Sequence, residues 1–291
     1  MANIIDGKII SRKILDEVKS SVKLCSRPPC AAFIRVGDDP ASVIYVNQKQ
    51  KIARELGIDT FPILLPLHAQ GKEILNAIHS LNENPEVDGI LVQAPLPTMA
   101  LQRAAFSAID PSKDIDGFHP QNLGLLCQES DDGFLPCTPL GIMELIRSTG
   151  VDLTGKHAVV IGRSLIVGKP VGLLLLQKKE FANATVTFCH SKTKDIARYS
   201  RDADLLIVAV GRPGTIRADM VKPGAVVIDV GINRIPDDRR EKGYRIEGDV
   251  DFENVREVAG FITPVPGGVG PMTIAMLMKN TLLAYQRHAH R

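Results

Sequence analysis

Tyr45 and Lys49 stand four residues apart in Tyr45-Val-Asn-Gln-Lys49, so on a helix they lie one turn apart and point the same way. That spacing fits an aromatic platform beside a movable ammonium. Spacing alone favours the other reading, a Tyr covering a core edge and a Lys reaching past it to water. Gln93 ends the apolar run Gly89-Ile-Leu-Val-Gln93, and the Pro95 and Pro97 that follow stiffen its loop. The segment from Asp110 to His119 is dense in charge and turn formers, which is the composition of a solvated loop. Its Asp114 and Asp116 could face a cation, but two acids without further oxygen ligands do not make such a site, and no metal is assigned.

A second chemical feature spans residues 155–172, GKHAVVIGRSLIVGKPVG. An apolar, β-branched run at 157–161 reads as a buried strand that stops at Gly162. Gly168, Lys169, Pro170 and Gly172 then lead into an apolar helix start at 173–176, with proline where a first helical turn tolerates it. Strand, glycine turn and helix form a cradle for an anion, with backbone N–H groups and the positive end of a helix dipole facing it. The strict G-x-G-x-x-G pattern is absent, because position 164 is Ser and the next glycine is Gly168, so an ordinary α/β turn remains the alternative. A second strand at 184–189 arrives where a βαβ unit places it. Its end, His190-Ser-Lys-Thr193, lacks the acid that would hold a ribose 2′-hydroxyl. Together with Arg163 and Ser164 it suits a 2′-phosphate, which favours NADP over NAD.

Alternating elements must carry these groups. Helical spacing at 9–24, 42–56, 71–82 and 140–148 alternates with short apolar strands at 31–36, 60–65 and 89–93. Gly57 closes the second of these helices as a C-cap. Further strands at 203–210 and 225–230 each run into glycine, at Gly211 and Gly231, and residues 236–244 read as a polar surface hairpin. This order predicts parallel sheets covered by helices, with ligands beyond the C-terminal strand ends. Three prolines and three glycines crowd residues 262–271, too constrained for an ordinary linker, before a long apolar-faced helix at 272–285.

Composition narrows the class. The chain has 291 residues, 44% hydrophobic and 23% charged, and 35 basic against 33 acidic residues give a net charge of +2. Two domains are expected. No charge excess calls for nucleic acid or an anionic membrane as partner. Five cysteines, odd in number and without zinc-ligand spacing, read as reduced intracellular thiols. The N-terminus lacks a basic leader followed by an apolar stretch, and no apolar run approaches the roughly 20 residues of a membrane span, so a cytoplasmic protein is expected.

Six motifs occur in order: Tyr45-Val-Asn-Gln-Lys49; Gly89-Ile-Leu-Val-Gln93 with Pro95-Leu-Pro97; Lys113-Asp-Ile-Asp-Gly-Phe-His119; Pro136-Cys-Thr-Pro139; Gly162-Arg-Ser164; and Pro264-Val-Pro-Gly-Gly-Val-Gly-Pro271. With them the chain closely resembles the bifunctional methylenetetrahydrofolate dehydrogenase/methenyltetrahydrofolate cyclohydrolase family, from Asp6-Gly7 to the last helix. One departure is Ala94, where the family commonly has Leu; it removes no reactive group.

The resemblance implies two α/β domains flanking a cleft. One is a folate-binding catalytic domain of residues 1–138 plus the returning helix 274–291, and the other a Rossmann-like NADP-binding domain of residues 139–273. It implies that Tyr45 stacks on the folate, that Lys49 and Gln93 flank the one-carbon unit, and that Asp116 bonds the pterin ring. Val46, Asn47, Gln48, Val92 and Ala94 would complete that pocket, and Pro266, Gly267, Gly268, Val269 and Gly270 would line it. Gly162, Arg163, Ser164, Ser191 and Ile232 would hold NADP. A homodimer is implied as well. The implied activity is oxidation of 5,10-methylenetetrahydrofolate to the 5,10-methenyl form, then hydrolysis to 10-formyltetrahydrofolate, within one-carbon metabolism and purine biosynthesis.

Chemistry agrees with this assignment. Hydride loss from a carbon between two nitrogens needs mainly alignment, since the nitrogens stabilise the cation, whereas hydrolysis needs proton transfers. Lys49 is the candidate base of the set, its pKa open to depression by burial. Two other classes fit part of the chain: a two-domain NADP dehydrogenase acting on a small hydroxy acid, and a non-enzymatic NADP-sensing module.

Overall fold

The short runs, mostly of Val, Ile, Leu and Ala, at 31–36, 90–92, 158–161, 205–208 and 226–229 fold as strands buried on both faces, the pattern of central strands in a parallel sheet. The computed structural model describes residues 1–240 and 243–289. In chain order the strands are β1 (Asn3–Ile4), β2 (Cys30–Val36), β3 (Asp59–Leu65), β4 (Gly89–Val92), β5 (His157–Ile161), β6 (Thr185–Cys189), β7 (Leu205–Val208), β8 (Val226–Asp229), β9 (Asn233–Pro236), β10 (Tyr244–Glu247) and β11 (Phe261–Ile262). The helices are α1 (Gly7–Val22), α2 (Pro40–Leu56), α3 (Gly71–Glu83), α4 (Met99–Ala108), α5 (Pro120–Cys127), α6 (Cys137–Thr149), α7 (Gly168–Leu176), α8 (Ile196–Ser200), α9 (Phe252–Val255) and α10 (Val269–Ala289).

The chain divides into two units. One comprises Met1–Ser11 and Thr138–Thr273, and the other Arg12–Cys137 with the chain from Ile274 onward. The first eleven residues thus group with the glycine-cradle unit, where the sequence alone places them with the N-terminal half. The reason is β1, whose two residues pair in parallel with β11.

In the Arg12–Cys137 unit three parallel strands take the order β3-β2-β4. Central β2 buries every residue after Cys30, and Ile34, Ile74, Ile78, Ile90 and Val92 meet in its core. Strand β3 lies at the edge, where Pro62 is tolerated because no ladder bond is asked of its nitrogen. Helix α2 begins where the Asp39 side chain accepts the N–H of Ser42 and Pro40 occupies the first turn, two residues before the start read from spacing. It ends at Gly57, whose φ of 82° is the left-handed C-cap.

The other unit holds a six-stranded parallel sheet in the order β1-β11-β8-β7-β5-β6. The chain steps from β5 to β6 on one side, then returns to β7 on the other, so the order reverses between β5 and β7. In an open parallel sheet that reversal marks the ligand crevice. Strands β9 and β10 form a separate antiparallel pair around the polar segment read as a hairpin, of which residues 241–242 lie outside the described residues. No helix among the described residues is long and apolar enough to cross a membrane.

Candidate active site

Helix α2 carries Lys49 into the interior of its unit, where it is only 7% exposed. Its Nζ donates to Gln93 Oε1 at 3.0 Å. Gln93 is fixed in turn: its backbone N–H continues the ladder to the Ile34 carbonyl, and its Nε2 donates to the Ala94 carbonyl at 2.7 Å. With the amide nitrogen so engaged, the carbonyl oxygen is what faces Lys49. Tyr45, one turn earlier on α2, is half-buried, Asn47 and Gln48 are exposed, and Val46 and Val92 fill the core.

The charge-rich stretch from Asp110 to His119 is not the solvated loop its composition suggests. Lys113 and Asp114 are 8% and 1% exposed. Lys113 Nζ donates to the carbonyls of Leu81 and Asn84, closing the C-terminal end of α3. Asp114 accepts from the N–H groups of Gly117 and His119 and from Asn122 Nδ2, so its oxygens build the turn. That leaves Asp116 for chemistry. It retains some solvent contact as a residue, yet its carboxyl is desolvated and sits near Lys49 and Cys137.

Electrostatics follow from that enclosure. Burial lowers the Lys49 pKa, with Asp116 and then Cys137 opposing the shift. Burial raises Asp116 to about 6 against the attraction of Lys49, the charge of Asp114 raises it further, and the neighbouring Cys137 side chain lowers it. The Cys137 thiol is itself pushed well above its ordinary value, first by burial and then by Asp116. A lysine whose pKa is lowered by burial, beside a carboxylate that ionises only above about 6, is an arrangement suited to moving protons near neutral pH.

Two contributors escaped the sequence. Cys137, read only as a reduced thiol, donates to the Ile115 carbonyl at 3.2 Å. Asn280 on α10, 3% exposed, donates through Nδ2 to the carbonyls of Ile115 and Leu135 at 2.9 and 3.0 Å and to Cys137 Sγ at 3.6 Å. A lone Asn inside an apolar helical stretch was the available signal for it.

In the sheet of six, the cradle is built of backbone. Gly162 has a φ of 128°, and a Cβ there would overlap the Ala209 carbonyl oxygen, just as one at Gly168 would overlap that of Gly162. Ser164 Oγ accepts from the N–H groups of Val167 and Gly168, capping α7, and keeps its own hydrogen for another acceptor. Register explains the next pair: Ile161 is opposite Cys189, and Arg163 and Ser191 each lie two residues beyond, both exposed. The β6 end is a local turn, with His190 N–H donating to Thr193 Oγ1 and Lys192 N–H to His190 Nδ1. An open main-chain cradle flanked by Arg163, Lys169 and Lys192 fits a phosphorylated dinucleotide. Ile232, three residues past β8, is 48% exposed. In the loop before α10, Pro266 is exposed and Gly267 and Gly268 are buried; in the first turn of α10, Val269 is buried and Gly270 half-buried. Among the described residues no group of three or more His, Cys, Asp or Glu is placed to hold a metal ion.

Comparison with known proteins decides the family. Residues 5–116 match the tetrahydrofolate dehydrogenase/cyclohydrolase catalytic domain, and residues 136–289 the NAD(P)-binding domain of the same family. The chain belongs to the tetrahydrofolate dehydrogenase/cyclohydrolase family. It is 53% identical over 289 residues to a bifunctional protein FolD of Pelodictyon phaeoclathratiforme, covering 98% of each chain. A bifunctional FolD crystal structure from Campylobacter jejuni is 47% identical with a TM-score of 0.91, over 99% of both chains. The Trypanosoma brucei dehydrogenase-cyclohydrolase, solved with NADP cofactor and inhibitor, is 39% identical with a TM-score of 0.94, over 100% of this chain and 99% of that one.

Proposed function

We propose that the chain oxidises 5,10-methylenetetrahydrofolate to 5,10-methenyltetrahydrofolate with NADP and then hydrolyses that product to 10-formyltetrahydrofolate. The observation that carries this reading is the buried Lys49 amine held by Gln93 beside Asp116.

In the first reaction the protein aligns the folate. Tyr45 stacks on it and ionised Asp116, an acceptor-only group above about pH 6, takes hydrogen bonds from a ring N–H and an exocyclic amine of the pterin. When bound, NADP supplies the hydride acceptor. No base is needed at the carbon. In the second reaction water adds to the methenyl carbon. In its neutral form, which burial makes more accessible, Lys49 donates one hydrogen to Gln93 and keeps its lone pair for the water proton, and the resulting ammonium returns a proton to the leaving ring nitrogen.

Gly162, Arg163, Ser164, Ser191 and Ile232 hold the cofactor in this reading, supported by the cradle and by the acid-free, basic end of β6. Val46, Asn47, Gln48, Val92, Ala94 and residues 266–270 complete the folate site, supported by the family motifs. Family membership likewise supports a cytoplasmic homodimer whose formyl product enters purine biosynthesis, and the free cysteines fit a reducing compartment. The test is to mix protein, NADP and 5,10-methylenetetrahydrofolate. NADPH should appear together with a methenyl absorbance that rises and decays; a hydroxy-acid dehydrogenase or an NADP-sensing module yields neither. Light scattering tests the dimer.

A further inference from the structure

Asp249, fully buried between β10 and α9, gathers the loops at the C-terminal end of the six-stranded sheet. Its Oδ2 accepts from the N–H groups of Val210 and Gly211 at 2.7 and 2.9 Å, and its Oδ1 from that of Arg212 at 2.8 Å. Asn233 Nδ2 adds a fourth bond to Oδ1 at 2.9 Å. Four donors saturate one carboxylate.

Behind it Asp229, the last residue of β8, accepts from the N–H groups of Gly231, Asp249 and Val250, each at 2.9 Å. Its own N–H donates to Thr263 Oγ1 at 2.8 Å. The loops after β7, β8 and β10 are therefore tied to two adjacent carboxylates, and the Asp229 N–H adds a bond to Thr263 after β11. The approach is close enough that a Cβ on Gly231 would overlap the Asp249 carboxylate, and one on Gly248 that of Asp229. The donors named are amides, so dipoles compensate the charge, and burial pushes Asp229 up to about 6.

The tied loops leave large apolar side chains in solvent. Val210 is 38% and Ile232 48% exposed, and Leu165 and Ile166, after β5, are 40% and 38% exposed. All four follow strands that flank or adjoin the reversal of strand order, where a dinucleotide lies. Apolar groups held at that edge by charge-assisted bonds form a surface set in place before the ligand arrives.

We propose that Asp249, backed by Asp229, is a positioning residue for NADP, locking the 210–212 and 231–233 loops so that Val210 and Ile232 present a preformed surface to the dinucleotide. The proposal rests on the reading of Ile232 as a cofactor contact.

The test uses the full-length enzyme. Asp249→Asn keeps the volume but turns an amide NH₂ toward two of the four donors, and Asn233→Ala removes one strap. Dehydrogenase kcat and the KM for NADP are measured together with hydrolysis of methenyltetrahydrofolate in the absence of NADP. Asp249→Asn should raise the KM for NADP about tenfold or more, equal to about 1.4 kcal/mol, while kcat and the hydrolysis rate stay within about twofold. Asn233→Ala should move the same KM less, in the same direction, and decides the matter alone if Asp249→Asn does not fold. A KM within about twofold of the unmodified enzyme, or a parallel loss of both activities, overturns the proposal. Ile232→Asp separates the two levels. If it leaves the KM for NADP unchanged, the underlying reading fails; if it raises that KM and Asp249→Asn does not, only the positioning role fails.

Discussion

Replacing Asp116 by Asn separates recognition of the pterin from support of the fold, because the two roles move stability in opposite directions. The carboxyl titrates at an ordinary 3.8 when unfolded and about 6 when folded, raised chiefly by burial. An acid raised on folding stabilises least when ionised: its contribution is fully present below 3.8 and is lost as pH rises through about 6. That gap corresponds to up to about 3 kcal/mol of destabilisation at neutral pH. Asp116→Asn removes the buried charge, so the melting temperature at pH 7.5 should stay level or rise. Binding should suffer, because one pterin donor then faces an amide NH₂ and a charge-assisted bond is lost, about 2–3 kcal/mol or roughly 30- to 140-fold in folate affinity. In the unmodified protein, folate affinity should fall as pH drops through about 6, and the Asn variant should lose that dependence. Calorimetric titration with a folate and thermal melts at pH 7.5 and 5 give the answer. Retained affinity with a melting temperature several degrees lower would show that Asp116 merely holds its turn.

Arg163→Ala should raise the KM for NADP about tenfold or more and leave the poorer use of NAD nearly unchanged, since the guanidinium is assigned to the 2′-phosphate; equal use of both cofactors by the unmodified enzyme would refute that assignment. Asn280→Ala leaves the Leu135 carbonyl without this buried donor and the Ile115 carbonyl with the weaker Cys137 thiol, and should destabilise its unit by about 1–3 kcal/mol, read from urea unfolding. Lys49→Arg should not restore hydrolysis to a Lys49-deficient enzyme, because guanidinium stays protonated at working pH, and a direct rate measurement on methenyltetrahydrofolate checks it.

Where local pattern and final environment coincide, the sequence was a sufficient guide. The apolar run before Gly162 is a strand because its residues are buried on both faces, and Tyr45 and Lys49 share a face because α2 is one unbroken helix between Asp39 and Gly57. Legibility failed where distant partners decide. Two residues of β1 carry no periodicity, and only β11 makes them a strand. Helix α5 is eight residues with a glycine inside, started by Pro120 and a His119 side chain that accepts the Gln121 N–H. The 110–119 segment looks solvated because its charges are visible in sequence, whereas the backbone carbonyls and N–H groups that bury Lys113 and Asp114 are not. Cys137 and Asn280 acquire meaning through shared partners such as the Ile115 carbonyl, more than a hundred residues from Asn280 in the chain. The glycine turn around Ser164 suggests a phosphate contact but carries no sign of its cap on α7, and the two uses draw on different lone pairs and hydrogens of one hydroxyl.

Both reactions are assigned to one folate site in which Lys49 moves the protons of hydrolysis and hydride transfer needs no base. Lys49→Gln tests this most directly, with NADPH formation and methenyltetrahydrofolate hydrolysis followed on the same preparation under saturating substrate. General-base removal is worth about 10²- to 10⁴-fold, so hydrolysis should fall by that order while NADPH formation persists and methenyltetrahydrofolate accumulates. A Lys49→Gln enzyme that hydrolyses methenyltetrahydrofolate at the unmodified rate would contradict the account.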